Sequence, residues 1–337
     1  MAFGFKSLVT AVTVGALVLA AGALAVGSAS GAPMLKGKTY RFGLIAKSQS
    51  NPVFIAAKTG AMDAAKEIGE KMGCKIEIDW RTPTDEDAQK QASYIEQLTA
   101  TGIDGIAISC TDAKILTGAI DTAVSKGVPV VTFDSDAPQS KRFAYYGTDD
   151  FACGQQLGRE IAKAIGSTGT IAVLAGNQTA PNLQGRVRGV RDVIEKEFKG
   201  IKIKDVYYHK ETAQDAVAKM EQVQGANPDI TGWALVGGWP LNTQNALNKI
   251  AGKAKVVSVD ALPPMIEYVR KGEVEALLGQ KVYEWGAESV RLLADKAIKN
   301  QTPKEAIVKA DLVVVTKANA EAYAENWKKW NPPDAKK

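Results

Sequence analysis

The sequence predicts an α/β protein with two similar lobes, each a doubly wound, Rossmann-like parallel sheet. Short runs rich in Val and Ile alternate with longer segments of helical period from residue 40 onward, and this alternation starts again near residue 170. The strands show little polar alternation, as expected where helices cover both faces of a sheet. A chain of 337 residues is long enough for two domains. No low-complexity linker separates the two runs, so we expect a hinge of several short crossing segments.

Each run of elements can be placed on the chain from its hydrophobic period and its turn residues. Asn51 can cap the first helix, and Pro52 suits its first turn. In the first run, we predict strands at 40–46, 75–79, 105–109 and 129–133, and helices at 52–72, 85–100 and 114–126. In the second run, we predict strands at 170–174, 203–208, 233–236, 256–259 and 276–279, and helices at 183–198, 213–225, 242–250 and 264–271.

Residues 1–32 have the order of a secretory signal peptide. Lys6 supplies the positive charge, residues 8–26 are apolar, and small residues crowd 27–32, with cleavage expected after Ala32. The alternative is an uncleaved membrane anchor, because the apolar run is nearly long enough to span a bilayer. No Cys lies near the cleavage region, so a lipid anchor is not indicated. The sequence therefore predicts an exported protein.

The remaining composition argues against several classes of function. The net charge is only +5 and no basic run is interleaved with aromatic residues, so we expect no nucleic-acid partner. The three cysteines, Cys74, Cys110 and Cys153, are interpreted as buried structural residues, with a Cys110–Cys153 disulfide as the alternative. No Cys/His ligand cluster is present, so we expect no metal and no other cofactor.

An enzyme is not expected. The only histidine is His209, and no Ser/His/Asp set is spaced around it. No phosphate-binding loop follows the first strand.

Polar and aromatic residues collect just after the predicted strands. In open parallel sheets, ligands bind beyond the carboxyl ends of the strands. These positions, with the start of the helix at 183–198, therefore give the candidate binding residues. They are Lys47, Asn51, Phe54, Asp134, Ser135, Arg186, Trp239, Asp260 and Gln280.

Several of these segments resemble the periplasmic sugar-binding proteins of the ribose-binding type, from about residue 38 to about residue 316. No single segment is specific, but their order and spacing over the chain make the match strong. The segments are Asn51-Pro52-x-Phe54, Thr101-Gly102-Ile103-Asp104-Gly105-Ile106, Gly127-Val128-Pro129-Val130-Val131-Thr132-Phe133-Asp134, Tyr146-Gly147-Thr148-Asp149-Asp150, Arg186-x-Arg188-Gly189, Val257-x-Val259-Asp260 and Leu278-Gly279-Gln280.

The resemblance implies the type I periplasmic binding protein fold. The N-terminal lobe would hold residues 38–148 plus 281–309, and the C-terminal lobe residues 149–280 plus 310–330. Hinge segments would lie near Asp149, Gln280 and Ala310. The resemblance also implies a monomer in the periplasm that binds a small carbohydrate or polyol between the lobes. It would deliver this ligand to the membrane permease of an ABC importer. The alternative is a receptor for chemotaxis or for a sensor kinase that uses the same cleft.

The resemblance also implies roles for the candidate residues. Asp134 and Asp260 would accept hydrogen bonds from hydroxyl groups, although an Asp after a strand can instead cap the next helix. Arg186 would donate from its planar fork, with Arg188 as the competing position. Asn51 could be only a helix cap, and Gln280 only a hinge residue. Phe54 and Trp239 would cover the ring faces of a sugar, with core packing as the alternative for both.

The chain departs from the ribose-binding pattern at four positions. Lys47 stands where the family has a neutral hydroxyl, Ser135 where ribose-binding relatives have Arg, Val53 where they have a second Phe, and Gly238 where they have Asn. These departures argue against ribose itself. Lys47 would favour an anionic or amino-altered ligand, unless it is only a surface lysine.

Overall fold

The computed structural model describes residues 37–331. The predicted signal peptide at 1–32 lies outside the described residues. Within residues 37–331, no helix is both long enough and apolar enough to cross a membrane.

Strands and helices alternate along nearly the whole described chain. In chain order the strands are β1 (Thr39–Ile45), β2 (Lys75–Trp80), β3 (Gly105–Ile108), β4 (Val130–Phe133), β5 (Ala144–Thr148), β6 (Gly169–Ala175), β7 (Ile201–Tyr208), β8 (Ile230–Leu235), β9 (Lys255–Val259), β10 (Ala276–Gly279), β11 (Ile307–Ala310) and β12 (Val313–Val315). The helices are α1 (Val53–Met72), α2 (Ala88–Ala100), α3 (Ala113–Ser125), α4 (Asp150–Ala164), α5 (Pro181–Glu197), α6 (Ala213–Ala226), α7 (Pro263–Lys271), α8 (Val282–Lys299) and α9 (Ala320–Trp330).

The strands form two six-stranded sheets with matching orders. The first sheet has the order β11-β5-β4-β3-β1-β2, and the second has the order β12-β10-β9-β8-β6-β7. Every neighbouring pair is parallel except β10 and β12, which run antiparallel. We call the half of the molecule built on the first sheet lobe one, and the half built on the second sheet lobe two. The predicted α/β fold with two doubly wound sheets is confirmed.

Side chains at the helix starts explain where several helices begin. Asp87 accepts a hydrogen bond from the Lys90 backbone N–H at 2.9 Å and so caps α2. Asp149 accepts from the Ala152 N–H at 3.1 Å and caps α4. Each cap satisfies a backbone donor that has no partner within its own helix.

Helix α8 follows the last parallel strand of lobe two but packs on the sheet of lobe one, beside α1. The two helix backbones approach closely at Gly60 and Gly286. A Cβ added at Gly286 would lie 1.8 Å from the Ala57 carbonyl oxygen, so only glycine permits this distance. The chain therefore returns to lobe one after it has completed most of lobe two.

Helix α9 contacts both lobes. It packs against α7 of lobe two, and the Trp327 Nε1 donates a hydrogen bond at 2.8 Å to the carbonyl oxygen of Ala261. At its other end, Trp330 stacks on Tyr283 of α8, with ring centroids 6.5 Å apart. The C-terminal helix therefore bridges the two halves of the molecule.

The predicted helix at 242–250 is wrong. This stretch contains a 3-10 turn at Trp239–Asn242 and then a series of turns. Asn245 has a φ of 60°, which a right-handed helix cannot contain. The Tyr268 hydroxyl donates to the Thr243 carbonyl and accepts from the Ala246 N–H, so groups that would bond within a helix are bonded to a side chain from α7 instead.

All three cysteines are free. Cys110 and Cys153 are fully buried and belong to different hydrophobic clusters, and Cys74 is half-buried. The structure agrees with the interpretation as structural cysteines and contains no Cys110–Cys153 disulfide.

Candidate functional site

Asp134 lies at the carboxyl end of β4 with a φ of 56°. Such a φ is uncommon for a residue with a side chain, and strained residues of this kind cluster at functional sites. The carboxylate is buried and accepts hydrogen bonds from Ser109 Oγ at 2.7 Å and from Asn182 Nδ2 at 3.1 Å. Because Asn182 belongs to α5, the second bond joins the two lobes. No helix follows Asp134 before β5, so this residue is not a helix cap.

Asp260 occupies the corresponding place at the end of β9, with a φ of 73°. Its Oδ2 accepts from the Gly238 N–H at 3.2 Å, and its Oδ1 accepts from Gln280 Nε2 at 2.7 Å. Leu262 is the N-terminal cap residue of α7, so Asp260 does not cap that helix. Asp260 and Gln280, both candidate binding residues, are directly bonded.

Arg186 is buried, and all parts of its guanidinium are hydrogen-bonded. Nε donates to Asp150 Oδ1 at 2.9 Å, Nη1 to the Val236 carbonyl at 3.0 Å, and Nη2 to Gln280 Oε1 at 2.8 Å. The competing Arg188 is exposed. The planar fork therefore ties α5 to α4, to the end of β8 and to the crossing at Gln280.

The crossing segments are bonded to one another at the end of the cleft. Gln280 Oε1 also accepts from Thr148 Oγ1 at 2.8 Å, which joins the last residue of β5 to the residue after β10. Nearby, Lys309 Nζ lies 2.6 Å from Asp149 Oδ2. The segments near Asp149 and Gln280 are therefore in contact.

Burial perturbs the carboxylates of the cleft. Burial raises the pKa of Asp134, while the positive charges of Lys47 and Arg186 oppose the rise. Burial also raises the pKa of Asp150 to about 7, although its ion pair with Arg186 acts in the opposite direction. Perturbed carboxylates near a charged partner are typical of binding clefts.

Lys47 is not a surface lysine. Its side chain is only 4% exposed, and its Nζ lies 3.1 Å from Glu86 Oε1 and 3.5 Å from Glu211 Oε2. Burial acts to lower the pKa of Lys47, but the charges of Glu211 and Glu86 outweigh it, so the net pKa is raised and the ammonium stays charged. Glu86 belongs to lobe one and Glu211 to lobe two.

Phe54 has contacts that match its structural alternative, whereas Asn51 is not the cap residue of α1, because Pro52 holds that position. Asn51 is half-buried and its Oδ1 accepts from the Val53 N–H at 3.3 Å, beside the start of α1. Phe54 is buried and packs against Trp285, with ring centroids 6.2 Å apart. Their contact with a ligand stays a prediction.

Trp239 and Ser135 each carry a buried polar atom without a hydrogen-bond partner, the Trp239 Nε1 and the Ser135 Oγ. Trp239 begins the 3-10 turn after β8, is 6% exposed and meets the His209 ring edge-on at 5.1 Å. Buried polar groups are rarely left unpaired, and each exception calls for an explanation.

Six polar residues of this network were missed from the sequence, and one of them is Thr148 at the end of β5. Ser109 follows β3, so the same strand-end rule could have found it. Asn182 and Asp150 reach the cleft from helices, and Glu86 and Glu211 come from loops that precede α2 and α6. No local pattern marks these four.

The two sheets and the cleft residues define a class of protein that encloses its ligand between two lobes. Charged and polar side chains of both lobes meet at the carboxyl ends of the strands, as expected of ligand sites in open α/β sheets. The model of the periplasmic binding protein domain family matches residues 42–302, and the chain belongs to this family.

Curated relatives of the chain are binding proteins of sugars. The ribose import binding protein of Bacillus subtilis is 25% identical over 245 residues, covering 72% of this chain and 77% of the relative. The D-ribose/D-allose-binding protein of Pseudomonas aeruginosa is 25% identical over 295 residues, covering 82% of this chain and 88% of the relative. The predicted resemblance to the ribose-binding type is confirmed.

Solved structures agree with this assignment. An ABC transporter solute-binding protein from Burkholderia graminis, in complex with D-arabinose, is 26% identical and superposes with a TM-score of 0.78, covering 86% of this chain and 99% of that one. A glucose-galactose binding protein from Geobacillus stearothermophilus is 26% identical and superposes with a TM-score of 0.76, covering 84% of this chain and 99% of that one. The predicted type I periplasmic binding protein fold is confirmed.

Proposed function

We propose that this protein captures a small carbohydrate or polyol between its lobes, outside the cytoplasmic membrane, and delivers it to an ABC import permease. The observation that carries the proposal is the pair of buried carboxylates, Asp134 and Asp260, one from each lobe. Gln280 bonds to both Asp260 and Arg186, and Asn182, from the same helix as Arg186, bonds to Asp134, which supports placing the three groups in one cleft. Fixed charged acceptors beside a planar donor are suited to a ligand with many hydroxyl groups.

Each polar contact within the cleft has a counterpart that a sugar can supply. A hydroxyl group can replace the Asn182 amide on Asp134, and another can replace the Gln280 amide on Asp260. The unpartnered Trp239 Nε1 and Ser135 Oγ offer further groups for hydrogen bonds. Phe54 and Trp239 supply apolar ring surface.

The relatives support both the ligand class and the partner. Their names include ribose import, D-ribose and D-allose binding, and one solved relative holds D-arabinose. Import binding proteins work with a membrane permease, and the family description is periplasmic. We propose the same partner and the same side of the membrane for this chain.

The charges of the cleft favour a neutral ligand. The ammonium of Lys47 is paired with Glu211 and also contacts Glu86, and the guanidinium of Arg186 is paired with Asp150. A sugar acid would bring a further negative charge to a cleft in which the carboxylates already outnumber the cations, and like charges disfavour each other. We therefore propose neutral sugars rather than sugar acids.

We also propose the lobe boundaries that the resemblance implies, with residues 38–148 plus 281–309 in one lobe and 149–280 plus 310–330 in the other. The strands of each sheet fall within these ranges, except that Ala310, the last residue of β11, pairs with Thr148 in the first sheet. Helix α9, placed in the second lobe, also contacts the first.

Calorimetry and thermal unfolding of the mature protein test the function. We expect D-ribose, D-allose, D-arabinose, D-glucose, D-galactose or ribitol to include at least one ligand that binds one to one and raises the melting temperature. D-galacturonate and D-ribonate serve as charged controls. Recovery of the sugar unchanged after incubation would agree with binding without catalysis, and sedimentation is expected to show a monomer. Failure of a broad panel of neutral sugars and polyols to bind would refute the proposal.

A further inference from the structure

Lys47, Glu86 and Glu211 form a buried contact between the two lobes that does not use Asp134, Asp260 or Arg186. Lys47 follows β1 and Glu86 precedes α2, both in lobe one, whereas Glu211 precedes α6 in lobe two. The side chains of Lys47 and Glu211 are 4% and 6% exposed, and that of Glu86 is 16% exposed. We name these three residues the interlobe bridge.

The interlobe bridge is anchored on both sides. Glu211 Oε1 accepts a hydrogen bond from the Asn177 N–H at 3.0 Å, so its other oxygen is directed by the loop after β6. Glu211 Oε2 is the atom that Lys47 approaches. A charged group held in place by a backbone donor loses little freedom when it forms an ion pair, so more of the attraction between the charges is retained.

Two members of the interlobe bridge line a pocket to which both lobes contribute residues. Glu86 and Glu211 line a pocket of about 870 Å³ between the lobes, together with residues such as Ser50 and His209. Asp134 and Asp260 do not line this pocket. Lys47 nevertheless lies close enough to Asp134 for the two charges to interact.

The interlobe bridge differs from the Asn182–Asp134 contact across the cleft in what a ligand does to it. A ligand hydroxyl group that replaces the Asn182 amide on Asp134 breaks that contact. The Lys47–Glu211 contact uses neither of these groups and can persist when the cleft is filled. It therefore favours the closed arrangement of the lobes whether or not a sugar is bound.

We propose that Lys47 is a positioning residue for ligand binding, which acts through Glu211 to hold the lobes closed rather than through contact with the ligand. The proposal rests on the proposed function, because it assigns the bridge a part in binding. The physical basis is the equilibrium between open and closed lobes. When only the closed form binds tightly, the apparent dissociation constant equals the intrinsic one divided by the closed fraction. Loss of the bridge lowers that fraction and weakens every ligand by the same factor.

The first test measures closure without any sugar. Exposed Gln89 and Gln214 stand near the starts of α2 and α6, on opposite sides of the bridge. Gln89→Cys and Gln214→Cys, in a Cys74→Ser background, allow attachment of two spin labels, since Cys110 and Cys153 are buried. Electron-spin distance measurements then report the separation of the lobes.

We expect Lys47→Met to shift the label distances toward longer values in the sugar-free protein, and Lys47→Arg to restore the parent distribution. Glu211→Gln, which keeps the shape of the side chain, provides a second disruption if Lys47→Met folds poorly. The matched control is Lys249→Met, which breaks the 2.7 Å pair of Lys249 with Glu221 within lobe two. Parent-like distances in both Lys47→Met and Glu211→Gln would overturn the proposal.

The second test uses whichever of D-ribose, D-allose and D-arabinose bind to the parent protein. We expect Lys47→Met to raise the dissociation constant of each by the same factor, about tenfold for a typical coupling between sites. A loss confined to one sugar would show that Lys47 contacts the ligand and would contradict a positioning role. The distance measurement does not depend on a sugar, so its result stands even if the protein binds none of the three. In that case the proposed sugar binding would be contradicted for these three sugars. The role of the interlobe bridge in closing the lobes would still be tested.

Discussion

Asp134 and Asp260 hold the same position in the two lobes. Each is the first residue beyond the third strand of its sheet, and each has a positive φ, of 56° and 73°. The Asp134 N–H donates to the Tyr146 carbonyl at 3.1 Å, and the Asp260 N–H donates to the Leu278 carbonyl at 2.9 Å, on the corresponding neighbouring strands. The two lobes thus present the same turn and the same carboxylate to the cleft from opposite sides.

Substitution of either aspartate should weaken sugar binding without unfolding the protein. Asp134→Asn and Asp260→Asn keep the shape of the side chain but remove a buried charged acceptor, a loss of about 2–5 kcal/mol in binding free energy. Calorimetry with a sugar that the wild type binds measures the effect. The control is Asp229→Asn, which changes an exposed carboxylate paired with Lys204. Wild-type affinity in both cleft variants would remove these residues from the site.

Arg186→Lys should destabilise the protein as well as impair binding. A lysine ammonium cannot reproduce the fork that reaches Asp150, Val236 and Gln280 together. The Arg186→Lys substitution replaces the guanidinium that pairs with the buried Asp150 by an ammonium that pairs with it less well. We therefore expect the free energy of unfolding, measured in urea, to decrease by about 3 kcal/mol. Arg188→Lys, at an exposed position of the same helix, should change it by less than about 0.5 kcal/mol. Equal effects of the two substitutions would contradict the buried network.

Trp239→Ala should reduce the stability of the ligand-free protein by about 3–5 kcal/mol, because the ring is only 6% exposed. Trp239→Phe retains much of the packing, so this variant should lose considerably less stability than Trp239→Ala. Urea unfolding without sugar provides the measurement. If Trp239→Ala kept wild-type stability but bound sugar poorly, the ring would be a wall of the ligand site and not part of the core.

Glu86 should make the stability of the protein fall as pH rises. Burial raises the pKa of Glu86 from 4.5 to about 8, against the opposing effect of Lys47. Below pH 4.5 the carboxyl group of Glu86 is protonated in both the folded and the unfolded chain. Its favourable contribution to the free energy of unfolding is therefore fully present. Between about pH 4.5 and pH 8 the unfolded chain ionises while the folded protein retains the proton, so that contribution is progressively lost.

The glutamine side chain in Glu86→Gln stays neutral at every pH. This variant should therefore lack the part of the fall in stability with rising pH that Glu86 causes. Denaturant unfolding from pH 4.5 to pH 8.5 compares it with the wild type. Glu325→Gln is the control, because Glu325 lies on exposed helix surface near Lys328. An unchanged slope in Glu86→Gln would show that Glu86 does not keep its proton in the folded state.

Local patterns in the sequence predicted nine of the twelve strands that the structure describes, together with residues at their ends, but missed β5, β11 and β12. Asp134, Asp260 and Gln280 all follow buried apolar strands, and the structure joins Asp260 to Gln280 directly. The same rule cannot find Asn182, which bonds to Asp134 from a position in α5. Its location depends on how the two lobes meet, and that relationship has no signature in the neighbouring residues.

Tertiary contacts also account for the errors. The segment at 242–250 has a helical pattern, but Tyr268 takes up its backbone groups. The burial of Lys47 depends on Glu211, which lies 164 positions along the chain. A lysine after a strand looks the same in sequence whether it faces water or bridges two lobes.

Strands β11 and β12 have a consequence for the order in which the protein can be completed. They are consecutive, within residues 307–315, yet β11 extends the sheet of one lobe beside β5 and β12 extends the sheet of the other beside β10. Domains tend to fold as units as the chain emerges during synthesis. Here neither unit has all its strands until the last part of the chain has emerged. A chain threaded through a membrane from its N-terminus would therefore remain without either finished sheet until its passage is nearly over.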